Sequence, residues 1–349
     1  LSGTKHVRLR VGIVGLGRLW EARHKPALAK LKDRFQVVGL YDQVARRAQI
    51  EAASLGCQAV DGLVALIGRP DVDVVYVLTP QWFGLHAIEL ACQFGKPVYC
   101  AVPLDGEAED LARLDGLIQS SRIPFMPEFA RRFYPASLRL RELLATRLGA
   151  PRLVVAHGRL FGFDRYGQPG PSTQIAPTRM LLDPGSYLLD WCRFVFSSEP
   201  TAVQAWGGQV MPQPEGLDRD FETFLLEFPA GAVAQVSVGR YHRGPWGEAS
   251  RFLPQPGIQV FAERGVAWLE LPDRIQWNDA EGVHDERLPL EPAVGEILGD
   301  HFHRFARGLQ SLAPNWDDAR AVAQLIAAIR VSGAEGRRVP LDGDSRSQI

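Results

Sequence analysis

The stretch best suited to holding an anion is Gly15-Leu16-Gly17-Arg18-Leu19-Trp20, a glycine-rich turn that closes an apolar run and opens a helical one. Gly15 permits the tight turn, and Gly17 lets backbone N–H groups approach a pyrophosphate at the positive end of the helix. Arg18 and Leu19 complete that loop. A dinucleotide fingerprint carries a third glycine where this chain has Trp20. That glycine serves helix-to-sheet packing and does not touch phosphate, so its loss leaves the anion site intact. Either the helix shifts, or Trp20 points outward. Asp42 follows Gly17 by 25 residues, the spacing at which a carboxylate meets a ribose 2′-hydroxyl, which favours NAD. The same residue would also serve as a helix N-cap, and the neighbouring Arg46 and Arg47 suit the 2′-phosphate of NADP. Thr79-Pro80 ends a later apolar run. His86 opens the helix beyond it, near where a nicotinamide ring lies in such folds, although a structural hydrogen-bonding role fits it equally.

Other chemistry-bearing residues point less sharply. Asp300, His301 and His303 look like metal ligands, but positions two apart do not share a helix face, and no metal is expected. His157 and His242 could line a cleft or be satisfied structural histidines. Trp82 and Trp246 could stack on a sugar ring, with packing the plainer reading.

These residues are positioned by strands alternating with helices. Val7–Val14, Phe35–Leu40, Val72–Leu78 and Pro97–Val102 read as strands, and Glu21–Leu31, Val44–Leu55, Leu85–Phe94 and Ala108–Ser120 as helices. That alternation predicts an α/β fold, a Rossmann doubly wound parallel sheet covered on both faces. After Ile123–Phe129 the rhythm changes to strands at Leu153–Arg159, Thr201–Trp206, Phe221–Phe228, Val233–Val238, Gly257–Phe261 and Val266–Leu271, predicting an α+β domain with a mostly antiparallel open-faced sheet. Helices over Ile297–Gln310 and Asp317–Ser332 close the chain, and the tail after Asp342 reads as disordered. The expected division is a dinucleotide-binding domain at 1–124 and a domain for substrate binding and oligomerisation at 125–349.

Composition narrows the partners. With 349 residues, two cores are expected, and 46% hydrophobic with 23% charged residues is an ordinary globular balance. A net charge of −1 gives no general attraction to nucleic acid or anionic lipid, so the partner is a small molecule. No apolar stretch is long enough to cross a bilayer and no signal-like segment opens the chain, although an upstream targeting segment could have been trimmed. Cys57, Cys92, Cys100 and Cys192 show neither C-x-x-C spacing nor a disulfide framework, and they read as reduced thiols of a cytoplasmic protein.

Three segments, GIVGLGRLWEARHKPALAKL, DVDVVYVLTPQWFGLHAIELACQFGKPVYCAVPLD and LLDPGSYLLDWCRFVF, resemble the Gfo/Idh/MocA oxidoreductases, named for glucose-fructose oxidoreductase and inositol dehydrogenase. The closing HFHRFARGL and DARAVAQLIAAIRVSGAEGRRVPL extend the resemblance over nearly the whole chain. It implies NAD(P)-dependent hydride transfer on a sugar, polyol or related hydroxy or keto compound. It also implies a homodimer or homotetramer paired through the open sheet face. The family's Asp-x-Gly-x-His/Tyr-x-x-Asp signature is matched by Asp183, Gly185, Tyr187 and Asp190, making Tyr187 the implied acid or base, with Asp183 assisting. Its Glu-Lys-Pro motif after the fifth strand stands here as Ala101-Val102-Pro103, so the lysine that helps organise substrate and proton transfer is gone.

Hydride addition to a carbonyl leaves an alkoxide that needs a proton, and a tyrosine with an ordinary pKa near 10 can donate one at neutral pH. Alcohol oxidation needs a base, which an adjacent lysine would favour and Val102 does not. Arg131, Arg132, Arg159 and Arg179 are the candidate replacements. A different class of function, a dinucleotide-binding protein that has lost catalysis, is motivated by Trp20, Ala101 and Val102 together.

Overall fold

The computed structural model describes residues 8–78, 85–104, 106, 108–161, 185–209, 221–241, 257–309 and 312–341. Two compact units divide the chain. Among the described residues, one contains those up to Ala130 together with Glu291–Ala321; the other contains Arg131–Leu290 and those from Val322 onward.

The first unit opens with β1 (Leu9–Val14), α1 (Lys25–Lys30), β2 (Phe35–Tyr41), α2 (Ala45–Leu55), β3 (Gln58–Ala59) and α3 (Leu63–Ile67). It continues through β4 (Val74–Val77), α4 (His86–Gln93), β5 (Val98–Cys100), α5 (Ala108–Ser121) and β6 (Phe125–Pro127). The six strands pair in the order β3-β2-β1-β4-β5-β6, every pairing parallel. This is the predicted Rossmann sheet, with the order reversing beside β1, where ligands of such sheets bind outside the strand C-termini. All four residues of β4 are buried, as a central strand covered on both faces requires.

The second unit contains α6 (Pro135–Leu143), β7 (Pro151–Phe161), α7 (Ser186–Phe196), β8 (Ala202–Gly208), β9 (Phe221–Glu227) and β10 (Val233–Tyr241). β11 (Ile258–Ala262), β12 (Gly265–Glu270), β13 (Arg274–Asp279) and β14 (Gly282–Arg287) follow. α8 (Val294–Ala306) belongs to the first unit, α9 (Trp316–Glu335) is divided between the two, and β15 (Val339–Pro340) closes the described chain. Nine strands form one sheet, ordered β14-β13-β12-β11-β7-β10-β9-β8-β15. Its pairings are antiparallel except β7 with β10. The mostly antiparallel second sheet is therefore as predicted.

α8 returns to the first unit at a close approach. A β-carbon on Gly295 would stand 2.9 Å from the Arg23 carbonyl, so glycine there is what lets this helix seat against the start of α1; one on Gly299 would meet the movable end of the Leu31 side chain.

Candidate active site

The phosphate turn is built in the first unit by two hydrogen bonds to the end of β2. Gly15, at φ +95°, donates its N–H to the Tyr41 carbonyl at 2.8 Å, and Leu16 N–H donates to Asp42 Oδ2 at 2.8 Å. A side chain at 15 would strain the turn. At Gly17 the reason for glycine differs: a β-carbon there would meet no heavy atom within 4 Å. The space over the loop is open, and a side chain would fill part of it. The first helical bond runs from Glu21 N–H to the Gly17 carbonyl at 3.2 Å, so the amides ahead of Glu21 open the helix as N-terminal donors. These features fit a bound dinucleotide pyrophosphate.

Trp20 points inward. Its side chain is 1% exposed, and its indole N–H donates to Glu51 Oε1 at 3.2 Å. Lys25 Nζ sits against both oxygens of Glu51, 2.9 Å from Oε1 and 3.0 Å from Oε2. Of the two outcomes foreseen for a bulky third position, the helix yields. Trp20–His24 is a π-wide turn, closed by Lys25 N–H on the Trp20 carbonyl, before the chain tightens into α1. One extra residue per turn makes room for the indole without breaking the helix.

Asp42 is buried at the end of β2, between the phosphate turn and α2. Oδ2 accepts from Leu16, Oδ1 accepts from Val44 N–H at 2.8 Å, and Arg47 Nη1 lies 3.4 Å from both oxygens. It is not the N-cap of α2; Val44 occupies that position. The carboxylate ties two backbone segments together and retains acceptor capacity for a ribose hydroxyl. Arg18 and Arg46 are exposed, and Leu19 is half-buried in helical geometry. His86 is also exposed, at the start of α4, with Nδ1 3.7 Å from Glu89 Oε2 one turn along its own helix. Thr79, Pro80, Asp183, Trp82, Arg179, His242 and Trp246 lie outside the described residues.

At the end of β5 the motif position is apolar. Ala101 is buried, its N–H donating to the Val77 carbonyl at 2.9 Å, and Val102 packs against the cluster formed by Val77, Val98 and Cys100. Burial pushes the Cys100 thiol up to about 12, so it is an inert packing group.

In the second unit, α7 carries the signature. Tyr187 is half-buried in its first turn, and Asp190, one turn on, is wholly buried. Arg132 donates to both oxygens of Asp190, with Nε–Oδ2 at 2.8 Å, and Arg193 Nη1 lies 3.4 Å from Oδ1. Arg193 is held in turn by Glu199 at 2.6 and 2.7 Å. Asp190 thus anchors α7 to the segment after β6, and Arg132 is committed to that anchor. Buried bidentate pairing makes this a rigid seat for Tyr187. His157 pairs with Ser237 Oγ across β7 and β10, as a satisfied structural histidine does. Among the described residues no three potential metal ligands converge.

Two acids escaped the sequence reading. Glu51 receives Trp20, and Glu128 receives Tyr99 Oη at 2.8 Å. Neither lies in a motif, and each meets its partner across 29 or more positions of sequence.

Residues 9–129 match the model of an oxidoreductase family with an NAD-binding Rossmann fold, and residues 137–268 match the Gfo/Idh/MocA C-terminal domain. The chain is 32% identical to the dTDP-3,4-didehydro-2,6-dideoxy-alpha-D-glucose 3-reductase of Streptomyces violaceoruber, covering 94% of this chain and 96% of that protein. It is 23% identical to the inositol 2-dehydrogenase of Rhizobium meliloti, covering 95% and 99%. Its fold is that of an Agrobacterium radiobacter oxidoreductase solved with NAD+, L-tartaric acid and magnesium. That match has a TM-score of 0.79 at 20% identity, over 96% of this chain and 98% of the other.

Proposed function

This chain belongs to the Gfo/Idh/MocA oxidoreductase family, and within it we propose an NAD-dependent oxidoreductase that reduces a keto group on a sugar, polyol or related compound. The observation that carries the proposal is the phosphate turn, with a left-handed Gly15, open space at Gly17 and Asp42 bonded to the loop. Bound nicotinamide supplies the hydride. The backbone donors from Gly17 to Trp20 hold the pyrophosphate, and Asp42 receives the adenine-side ribose. Thr79, Pro80 and His86 are assigned to the nicotinamide side. Arg47, leaning on Asp42 at 3.4 Å, supports acceptance of NADP as a second cofactor. Tyr187 donates the proton that the developing alkoxide needs, Asp183 orients the substrate hydroxyl beside it, and the Arg132–Asp190 anchor keeps α7 from drifting. The nearest support for reduction over oxidation is the 32% identical relative, a 3-reductase of a nucleotide-linked keto sugar.

NADH oxidation measured over a panel of keto sugars, free and nucleotide-linked, tests this reading. Turnover with one of them should fall by about 10²- to 10⁴-fold in Tyr187→Phe, the range expected for loss of a general acid. NADH binding with no turnover on any of them favours the second reading, a dinucleotide-binding protein without catalysis. The apolar packing of Ala101 and Val102 supports that alternative.

We also assign the protein to the cytoplasm and to a homodimer or homotetramer. The four free thiols support the first. Trp206, 56% exposed on β8, and the exposed Leu225 on β9 support self-association through that sheet. A monomer in light scattering would refute the oligomer.

A further inference from the structure

The family's motif has a glutamate at the position held here by Ala101, and the structure puts a carboxylate next to that place from the adjacent strand. β5 and β6 are parallel and in register, Tyr99 opposite Met126 and Cys100 opposite Pro127. Glu128 N–H donates to the Cys100 carbonyl at 2.7 Å, the bond that closes the Cys100–Pro127 rung, so Ala101 and Glu128 are the residues that follow that last rung on the two strands. Side chains alternate faces along a strand, so 99 and 101 share a face with 126 and 128. Glu128 is 2% exposed on that face and fully engaged. It receives Tyr99 Oη at 2.8 Å, pairs with Arg23 Nη1, and lies 2.8 Å from His24 Nε2. Tyr99 is itself fixed by stacking on Tyr76 at 4.6 Å.

Arg23 and His24 belong to the π-wide turn that accommodates Trp20. A buried carboxylate survives only when it is paired and hydrogen-bonded; Arg23 of that turn supplies the ion pair and Tyr99 of β5 the hydrogen bond, with the His24 ring packed alongside. We propose that Glu128 is a positioning residue that takes the place of the missing glutamate and clamps the widened turn to the sheet, keeping the N-terminal amides of the helix aimed at the dinucleotide. The clamp replaces by packing what a third glycine would otherwise allow. This inference rests on the dinucleotide-binding reading for its functional consequence, but not for the clamp itself.

Three forms of the full chain test it: wild type, Glu128→Ala, and Glu128→Ala combined with Ala101→Glu. Amide hydrogen exchange over residues 18–25 and the Kd for NADH are measured on each. Glu128→Ala should exchange faster in that segment and raise the Kd about tenfold, and the returned carboxylate at 101 should recover most of both. Unchanged exchange in Glu128→Ala overturns the clamp, and faster exchange with an unchanged Kd overturns its positioning role. If Glu128→Ala does not fold, the double variant decides: recovery of folding and NADH binding supports the proposal, and no recovery overturns it. A wild type that binds no NADH sinks the functional reading instead, while the exchange comparison still judges the clamp.

Discussion

The chain departs from its family's pattern at two places in the same unit, and the structure treats them differently. At the phosphate turn the third glycine is replaced by the bulkiest side chain available. The helix widens, the indole is buried on Glu51, and of the two residues that close the turn Arg23 pairs with Glu128 while His24 packs beside it. At the end of β5 Val102 stands where the resemblance implies a lysine, and it adds to the apolar core. The first change is one of shape, which surrounding residues can absorb. The second removes a charge, which no rearrangement of apolar packing can restore.

The sharpest way to break this contrast is Trp20→Gly, which restores the fingerprint and removes the packing. If the turn is now built around the indole, the variant should lose about 3–5 kcal/mol of stability in urea unfolding, as truncation of a buried tryptophan does, and bind NADH no better. A stable variant with tighter binding would show that the turn merely tolerates Trp20.

Arg132→Ala asks whether the arginine paired with the signature residue Asp190 does chemistry or architecture. Removing one partner of a buried ion pair strands the Asp190 charge and should cost about 3 kcal/mol, with Arg193 retaining part of the interaction. A variant as stable as wild type but inactive would place Arg132 at the substrate.

The buried histidine of the turn gives a pH test. Burial, helped by the Arg23 charge, holds His24 down to about 3, against 6.5 for the free side chain. Below about pH 6.5 the unfolded chain therefore binds a proton that the folded one refuses. Stability is complete above that value and falls as pH drops, by up to about 1.4 kcal/mol per unit. His24→Gln should flatten the slope between pH 6.5 and 4. An unchanged slope would show that His24 is already protonated on Glu128. Below about pH 4 a second loss begins, because Asp73 and Glu286, held low by Arg10 and Arg139, must then take up protons.

Val102→Lys is the gentlest probe. It returns the ammonium that favours a phenolate, and should raise alcohol oxidation about tenfold at neutral pH while costing about 1 kcal/mol for burying part of a charged chain. No gain in oxidation would mean that the missing lysine is not what limits this chain.

The parts legible in the sequence are those with local signals. The glycine turn, the strand-helix alternation, the later run of strands and the α7 signature each occupy a short window, and most of both sheets follows from them. The β13–β14 hairpin escaped because β13 has only two core side chains, Ile275 and Trp277, and β14 alternates in charges. Arg274 pairs with Asp285 and Arg287 with Asp273, where apolar side chains would have been the signal. The return of α8 to the first unit depends on Gly295, whose meaning appears only against the Arg23 backbone. Glu51 and Glu128 could not be found from spacing, since what identifies them is a partner distant in sequence. The same holds for the fate of Trp20, because a π-wide turn has no sequence signature of its own.

Equilibrium titration of the wild-type protein with NADH, followed by fluorescence, tests the central claim most directly. A site rebuilt around Trp20 predicts saturable binding with a micromolar Kd, weakened by Asp42→Ala. The absence of saturable binding by either NADH or NADPH would contradict it, and would mean that the widened turn has lost the function of the loop it replaces.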